Sequence, residues 1–121
     1  MAFNHDDITT VNKEILLGFW KIHILHHADQ GPVVGQWMLN ELRRHGYDVS
    51  PGTLYPMLKR MEGHGWLYSE VDFERGPKAP RSYFLTDKGR EVLGYVGMML
   101  DELRREICEK PGSDNDDPAE R

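Results

Sequence analysis

Hydrophobic side chains recur at helical spacing in the first half of the chain. The first stripe predicts a helix over Val11–Ala28, which ends at the turn-forming residues 29–32, DQGP. A second stripe predicts a helix over Val33–His45, with Gly46 as its C-terminal stop. The stripes consist of Val11, Ile15, Phe19 and Ile22 in the first helix and Val34, Trp37, Met38 and Leu42 in the second.

A third helix is predicted within Ser50–Glu62, SPGTLYPMLKRME. Its apolar face is formed by Met57, Leu58 and Met61. Its two prolines complicate the start, because a proline inside a helix removes a backbone hydrogen bond. We favour Thr53 as the N-cap, which leaves Pro56 in the first turn, where its missing N–H costs little. The alternative places Pro51 at the first helical position and Pro56 inside a bent helix.

The periodicity changes to alternation in the second half of the chain. Residues 66–72 and 81–86 each read as a strand rich in aromatic and β-branched residues. The segment between them, Phe73–Pro80, is rich in Gly and Pro and carries Arg75 and Lys78. Together these segments predict a β-hairpin with a basic loop.

A last helix is predicted to begin after Thr86 as its N-cap and to run to about Lys110. Its apolar residues step by three and four, as in a coiled-coil seam, and this predicts a dimer interface formed by Leu93, Val96, Leu100, Leu103 and Ile107. A monomer of this size has too little other surface to cover all five of these side chains. The acidic segment 111–121 reads as a disordered tail, and residues 1–9 read as a flexible start.

Composition excludes several classes of protein. The 121 residues suit one small domain, here residues 10–86 followed by the helix over 87–110. The longest apolar run is too short to span a bilayer, so no membrane association is expected. The N-terminus lacks the basic start of a secretory signal, and the single Cys108 excludes an internal disulfide framework. We therefore expect a cytoplasmic protein.

The charge distribution is more informative than the net charge of −5. Residues 31–90 carry nine Lys and Arg against seven Asp and Glu, whereas residues 91–121 carry four against nine. A local basic region on an acidic chain is compatible with specific DNA binding. No paired carboxylates, activated nucleophile or phosphate-cradling glycine motif indicates an enzyme, and no cofactor is expected.

The order of elements predicts a mostly α fold with a small β-hairpin wing. Three helices, a hairpin and a long C-terminal helix match a winged helix-turn-helix followed by a dimerisation helix. In that arrangement the third helix enters the DNA major groove and the wing touches the flanking backbone.

Several segments also resemble the PadR family of bacterial transcription regulators. The resemblance rests on residues 46–58, GYDVSPGTLYPML, on Arg60-Met61-Glu62, on Gly65-Trp66-Leu67 and on residues 81–89, RSYFLTDKG. It implies a homodimer joined through the C-terminal helix, which represses promoters with inverted repeats and in several cases releases DNA when an effector binds. The single C-terminal helix resembles the short branch of the family, whose multidrug-sensing members hold flat aromatic compounds at the dimer interface.

The predicted DNA-binding residues carry hydroxyls and cations, which mostly contact phosphates. They are Ser50, Thr53, Tyr55, Lys59 and Arg60 in the third helix and its turn, and Arg75, Lys78 and Arg81 in the wing. Arg60 is the candidate for reading a base, because an arginine can hold guanine O6 and N7 bidentately. The alternative is that Tyr55 packs in the core and the cations are merely solvated.

Three further sets of residues have both a functional and a plain packing interpretation. An aromatic effector could stack on Trp20, Trp37, Tyr95, Met98 and Met99, although each also suits ordinary core packing. His23, His26 and His27 could approach a metal, but no nearby acid completes an obvious ligand set, so no metal is expected. Cys108 could form a redox switch, although a lone cysteine on an apolar stripe is more often a packing residue.

The sequence thus predicts a dimeric, sequence-specific DNA-binding regulator, and the resemblance implies a repressor released by a small-molecule effector, for which a small aromatic compound is the candidate. Its partners would be double-stranded DNA with an inverted repeat and a second copy of the chain. The alternative is a winged-helix module that binds a protein partner and has no DNA-binding role, which the net acidity favours.

Overall fold

The structure, a computed structural model, describes residues 3–109. Its five α-helices are α1 His5–Val11, α2 Leu17–Gln30, α3 Gly35–Arg44, α4 Pro51–Gly63 and α5 Asp87–Cys108. Its three strands are β1 Val33–Val34, β2 Leu67–Val71 and β3 Arg81–Leu85. They form one antiparallel sheet in the order β1-β3-β2. Within the described range, no helix is both long and apolar enough to cross a membrane.

The first helical segment begins earlier than predicted. It starts at His5, because Asn4 and Asp7 form a capping box in which each side chain accepts the other's backbone N–H at 3.0 Å. Most of the segment expected to be a flexible start therefore lies in α1. A π-helical turn over Asn12–Leu16 joins α1 to α2. The core-facing residues of α2 are Trp20, Ile24, Leu25 and Ala28.

The second helix is shorter than predicted. Val33 and Val34 lie in β1 rather than in the helix, because they pair with Tyr83 and Ser82 of β3. Helix α3 therefore begins at Gly35. Its predicted stop is confirmed: Gly46 has a φ of +91°, and the Tyr47 N–H bonds to the Leu42 carbonyl at 3.1 Å.

The favoured start of the third helix is wrong, and the alternative start is the observed one. Ser50 is the N-cap, with an extended backbone, and Pro51 occupies the first helical position. The ring of Pro51 presets the helical φ, and the Leu54 N–H makes the first full-turn bond to the Ser50 carbonyl at 3.0 Å. Thr53 and Pro56 consequently lie inside α4. The predicted apolar face is confirmed, since all three of its residues are buried.

The predicted hairpin is confirmed, with β2 and β3 paired from Leu67 opposite Leu85 to Val71 opposite Arg81. A short 3₁₀ turn, Phe73–Arg75, follows β2 in the connecting loop. The predicted cap of the last helix is also confirmed. The hydroxyl of Thr86 accepts the Gly89 N–H at 2.9 Å and donates to the Gly65 carbonyl at 2.5 Å. The predicted helix end at Lys110 and the tail lie outside the described residues.

One hydrophobic core joins these elements. It contains apolar residues from α2, α3, α4 and all three strands, and α5 joins its edge through Val92 and Leu93. The remaining length of α5 extends beyond this core, and every residue from Asp101 to Glu109 is exposed. The core thus fixes α4 and the hairpin relative to each other but leaves the second half of α5 uncovered.

Candidate nucleic-acid interface

Helix α4 divides its side chains between the core and solvent. The residues that anchor it are buried and spaced by three and four, namely Leu54, Met57, Leu58 and Met61. The opposite face presents Tyr55, Lys59 and Arg60 to solvent. Within the described part of the chain, the side chains of Lys59 and Arg60 form no hydrogen bond or ion pair. Two full positive charges are therefore available on the outer face of the helix.

The N-terminus of α4 carries two hydroxyls. The Ser50 hydroxyl donates to that of Thr53 at 3.3 Å and does not cap the helix backbone. The Thr53 and Leu54 N–H groups both bond to the Ser50 carbonyl, so the backbone of the first turn is closed without either side chain. Both hydroxyls lie at the positive end of the helix dipole, which favours an anion there.

Tyr55 lies against the start of the neighbouring helix. Its side chain is 43% exposed, and its ring covers Gly35, where an added Cβ would overlap the ring atoms. The residue is thus neither a core residue nor a freely solvated one. Because Gly35 has no side chain, the Tyr55 ring packs directly on the start of α3 and braces α4 against that helix. Part of the ring remains exposed to solvent. The sequence offered no signal for this partnership.

The wing carries two kinds of cation. Arg75 and Lys78 lie in the exposed loop, and among the described residues neither side chain has a hydrogen-bond or ion-pair partner. Arg81, in contrast, donates to the Ser69 hydroxyl at 2.9 Å, and Ser69 donates to the Glu62 carboxylate at 2.7 Å. This chain of contacts ties the base of the wing to the end of α4. Glu62 and Ser69 are positioning residues that the sequence analysis did not identify.

The predicted dimer residues differ in how much of their surface is covered. Leu93, Val96 and Leu100 are partly buried, and Leu93 packs against the core of its own protomer. Leu103 and Ile107 are 50% and 71% exposed although both are apolar. On α2 and the turn before it, Phe19 and Ile15 of the first predicted stripe also face outward. Two adjacent elements thus present apolar side chains that the protomer does not cover.

The predicted effector residues do not converge within one protomer. Trp20 is only 3% exposed and packs with Tyr47 at a ring-centre distance of 5.8 Å, which supports its packing interpretation. Trp37 lines a surface depression with residues 30–34. Tyr95, Met98 and Met99 are exposed on α5. A separate groove of about 280 Å³ lies between α2 and α5, lined by Phe19, Ile22, His23, His26, Leu93 and Leu100.

The predicted histidine cluster is rearranged in the fold. His26 lies on the groove side of α2, whereas His23 and His27 lie beside His45 and Glu41. The expectation that no acid lies nearby is therefore wrong. The four-residue spacing of Glu41 and His45 was the available signal that these two side chains share one helix face. Their approach to α2 could not be predicted from it, because that depends on how the helices pack. Cys108 is exposed rather than packed.

The fold and the cationic surface define a class of protein. Helices α2 to α4, a two-stranded wing and the long helix α5 form a winged helix-turn-helix, a fold of the DNA-binding type, with exposed cations on α4 and on the wing. Residues 24–95 match the transcriptional regulator PadR-like family. The chain therefore belongs to the PadR-like family of transcriptional regulators.

Individual relatives agree with this assignment. The transcriptional regulator Rv3488 of Mycobacterium tuberculosis is 49% identical over 87 residues, which cover 72% of this chain and 80% of the relative. A PadR family transcriptional regulator from Eggerthella lenta is 27% identical with a TM-score of 0.71, covering 97% of this chain and 98% of that one. A PadR-like transcription factor from Bacteroides fragilis is also 27% identical, with a TM-score of 0.68, covering 81% and 95%.

Proposed function

We propose that this protein is a homodimeric repressor that binds an inverted-repeat operator. The observation that carries the proposal is a set of four exposed cations without a partner among residues 3–109, two on the outer face of α4 and two in the wing loop, on a chain whose net charge is −5. Exposed cations gathered on one surface create a local positive potential even on a protein that is acidic overall, and such a potential attracts a polyanion. Double-stranded DNA is the polyanion that a winged helix fits.

In the proposed complex, α4 lies in the major groove and the wing lies along the flanking backbone. Ser50 and Thr53 would contact a phosphate at the helix N-terminus, and Arg75 and Lys78 would contact phosphates beside the half-site. Lys59 and Arg60 lie further along the helix, where Arg60 could read a guanine. Arg81 and Tyr55 would also hold the wing and α4 in place. Arg81 is hydrogen-bonded to Ser69, and Tyr55 packs on Gly35.

The proposed dimer is supported by the uncovered apolar surface. Leu103 and Ile107 on α5 and Phe19 on α2 are large apolar side chains with substantial exposure, and an exposed patch of this kind marks an interaction site. Packing α5 against the α2 region of a second copy would cover both sets at once. Two-fold symmetry would then place two α4 helices on one face of the DNA, about one helical turn apart.

The proposed release by an effector rests on the same interface. The groove between α2 and α5 adjoins Leu93 and Leu100 of the predicted seam, so a flat aromatic compound bound there would alter how the helices pack. A change in packing would change the separation of the two heads and lower operator affinity. Tyr95, Met98 and Met99 would enter such a site from the partner's α5 rather than from the same protomer.

The test is fluorescence anisotropy of the full-length protein with labelled DNA from its own upstream promoter, beside a scrambled duplex, at two salt concentrations. Preferential binding to the promoter that weakens steeply with salt supports the proposal. Addition of flat aromatic compounds to the promoter complex then tests release. Equal binding to both duplexes, or none, contradicts specific recognition of that promoter.

One observation favours a second candidate, a winged-helix module for a protein partner. Phe73 at the wing is 85% exposed, and the chain as a whole is acidic. An aromatic side chain in that position suits a protein interface better than a phosphate backbone. A protein that ignores both duplexes but captures a partner through the wing, with capture lost in Phe73→Ala, would favour this candidate.

A further inference from the structure

A cluster of metal-ligating side chains lies between α2 and α3 and includes none of the predicted DNA-binding residues. His23 and His27 are one turn apart on α2, and Glu41 and His45 are four residues apart at the end of α3. Residues four apart share one face of a helix. Each helix therefore contributes a pair of side chains, and the packing of α2 on α3 brings the two pairs together.

The distances suit one ion. The three histidines offer ring nitrogens that lie within 4.8 Å of one another. The Oε2 atom of Glu41 is 3.4 Å from Nε2 of His27 and 3.2 Å from Nε2 of His45. Tetrahedral zinc with bonds of about 2.0–2.1 Å holds its ligand atoms about 3.4 Å apart. The carboxylate already has that separation from two rings, whereas Nε2 of His23 lies 3.2 Å from the Tyr47 hydroxyl, so the His23 ring must give up this contact or bind through its other nitrogen.

The cluster also contains an unsatisfied polar atom. Among the described residues, the buried Nε2 of His27 has no hydrogen-bond partner, and its 3.4 Å approach to the Glu41 carboxylate is long for a hydrogen bond. A buried ring nitrogen without a partner is costly in a structural packing network. Coordination to a cation would satisfy it.

Two of these histidines and Glu41 have pKa values that differ from their usual ones. Burial, followed by repulsion from His45, lowers the pKa of His23 below 6.5, and burial lowers the pKa of His27 despite the nearby Glu41. The hydrogen bond from Arg44, ahead of other causes, lowers the pKa of Glu41 to about 2, so this side chain is ionised.

We propose that His23, His27, His45 and Glu41 form a binding site for one divalent transition-metal ion per protomer, with Zn²⁺ as the best fit. Three imidazoles and one carboxylate are a donor set that suits zinc, and cobalt and nickel bind similar sets. Arg44 competes with the ion for the carboxylate, because its guanidinium holds both oxygens of Glu41 at 3.0 and 2.8 Å. The ion binds by displacing or sharing this partner, and the 36% exposed side chain of His45 gives it a route from solvent.

The position of the site connects it to the DNA-facing surface. His45 is the C-cap of α3, and the recognition helix begins six residues later at Pro51. The intervening turn is held by the Arg43 side chain, which donates to the Val49 carbonyl at 3.1 Å. An ion bound to His45 would tie this turn to α2 and restrict the orientation of α4.

The test is isothermal titration of ZnCl₂ into chelator-treated, tag-free, full-length protein. We expect one Zn²⁺ per protomer and at least a tenfold loss of affinity in His45→Gln and in His27→Gln. His26→Gln is the matched control, because His26 is the next residue on α2 but its ring lies on the groove side, and its affinity should equal that of the unmodified protein. His45→Gln alters an exposed side chain, so this variant decides the matter if His27→Gln does not fold.

A spectroscopic measurement with CoCl₂ distinguishes this site from loose surface binding. The intense visible absorption of tetrahedral Co²⁺ should appear in the unmodified protein and in His26→Gln, and it should disappear in His45→Gln. Absence of Zn²⁺ binding, or retention of full affinity in His45→Gln, overturns the proposal. An equal loss of affinity in all three variants overturns it as well. Because no DNA is present, the result is independent of the proposed regulator function.

Discussion

The double variant Arg75→Ala/Lys78→Ala tests whether the wing holds DNA. Both side chains are exposed, and among the described residues neither has a partner within the protein. Their loss should therefore leave the fold intact and remove only contacts with DNA. If each cation neutralises one phosphate, it contributes about −0.9 to the slope of log K against log salt concentration. In the proposed dimer, two cations on each of two wings give a change of about 3.6 in the slope.

That change is large enough to measure by fluorescence anisotropy. Between about 50 and about 200 mM salt, a slope difference of 3.6 means that the unmodified protein loses roughly 150-fold more affinity than the variant. The affinity at low salt should fall by a similar factor on promoter and scrambled DNA, because backbone contacts carry no sequence information. The ratio between the two duplexes should therefore change little.

The matched control is Lys88→Ala/Arg105→Ala. Lys88 lies in the first turn of α5, away from the wing loop, and Arg105 pairs with Asp101 at 3.5 Å on an exposed helix face. Both double variants shift the formal net charge from −5 to −7. The reasoning is refuted if the wing variant keeps the slope of the unmodified protein, or if the control shows the same reduction. The second result would mean that net charge, not the wing, sets the salt dependence.

Three further predictions follow from packing and titration. Gly35→Ala should lower the free energy of unfolding by about 1–3 kcal/mol because its methyl group overlaps the Tyr55 ring, whereas Gly18→Ala, with open space around it, should be neutral or raise that free energy by up to about 1 kcal/mol. Chemical denaturation measures both, and no loss in Gly35→Ala would remove Tyr55 as a brace. Leu103→Asp should weaken a dimer by more than 100-fold, since two copies lose at least about 3 kcal/mol of apolar burial, while the protomer stays folded. Sedimentation equilibrium would contradict this if the variant and the unmodified protein associate equally. The melting temperature should fall from about pH 7.5 to about pH 5, because folding lowers the pKa values of His23 and His27 below 6.5 and the unfolded chain therefore takes up protons at a higher pH than the folded chain, and His23→Gln should flatten this dependence. Glu41 does not contribute between pH 7.5 and pH 5, since its stabilising effect is lost only as the pH falls below 4.5 toward about 2. An equally steep fall of the melting temperature in His23→Gln would contradict the assignment of this pH dependence to His23.

Local signals in the sequence identified the elements whose formation depends on nearby residues. The alternation in residues 66–72 and 81–86 predicted the hairpin, because each strand has one face on the core and one in solvent. Thr86 was identified as the cap of α5 because a hydroxyl just before an apolar helical stripe is a strong local signal. The buried face of α4 followed from spacing alone.

The start of α4 could not be decided from local signals. Ser50 and Thr53 are both good N-caps, and each choice leaves one proline in an acceptable position. A start at Ser50, which is the observed one, places Pro56 in the helix interior, where it costs a backbone hydrogen bond. Burial of Leu54 and Met57 offsets this cost. The two-residue strand β1 was missed for a related reason, since Val33 and Val34 become a strand only by pairing with β3.

Periodicity also does not say which partner a hydrophobic face will meet. The first predicted helix forms, but Ile15 and Phe19 of its predicted apolar stripe face outward. Trp20 and Ile24 fill the core instead. The same limit applies to the ligand cluster. His23 and Glu41 are distant in sequence, and only the packing of α2 on α3 brings His27 and Glu41 within 3.4 Å.

The central claim is that two copies of this chain place two α4 helices on one face of an operator. Hydroxyl-radical footprinting of the promoter complex tests it most directly. The account predicts two protected segments, centred about 10–10.5 base pairs apart and related by two-fold symmetry, with weaker flanking protection that disappears in Arg75→Ala/Lys78→Ala. A single protected segment, or uniform protection without symmetry, would contradict it.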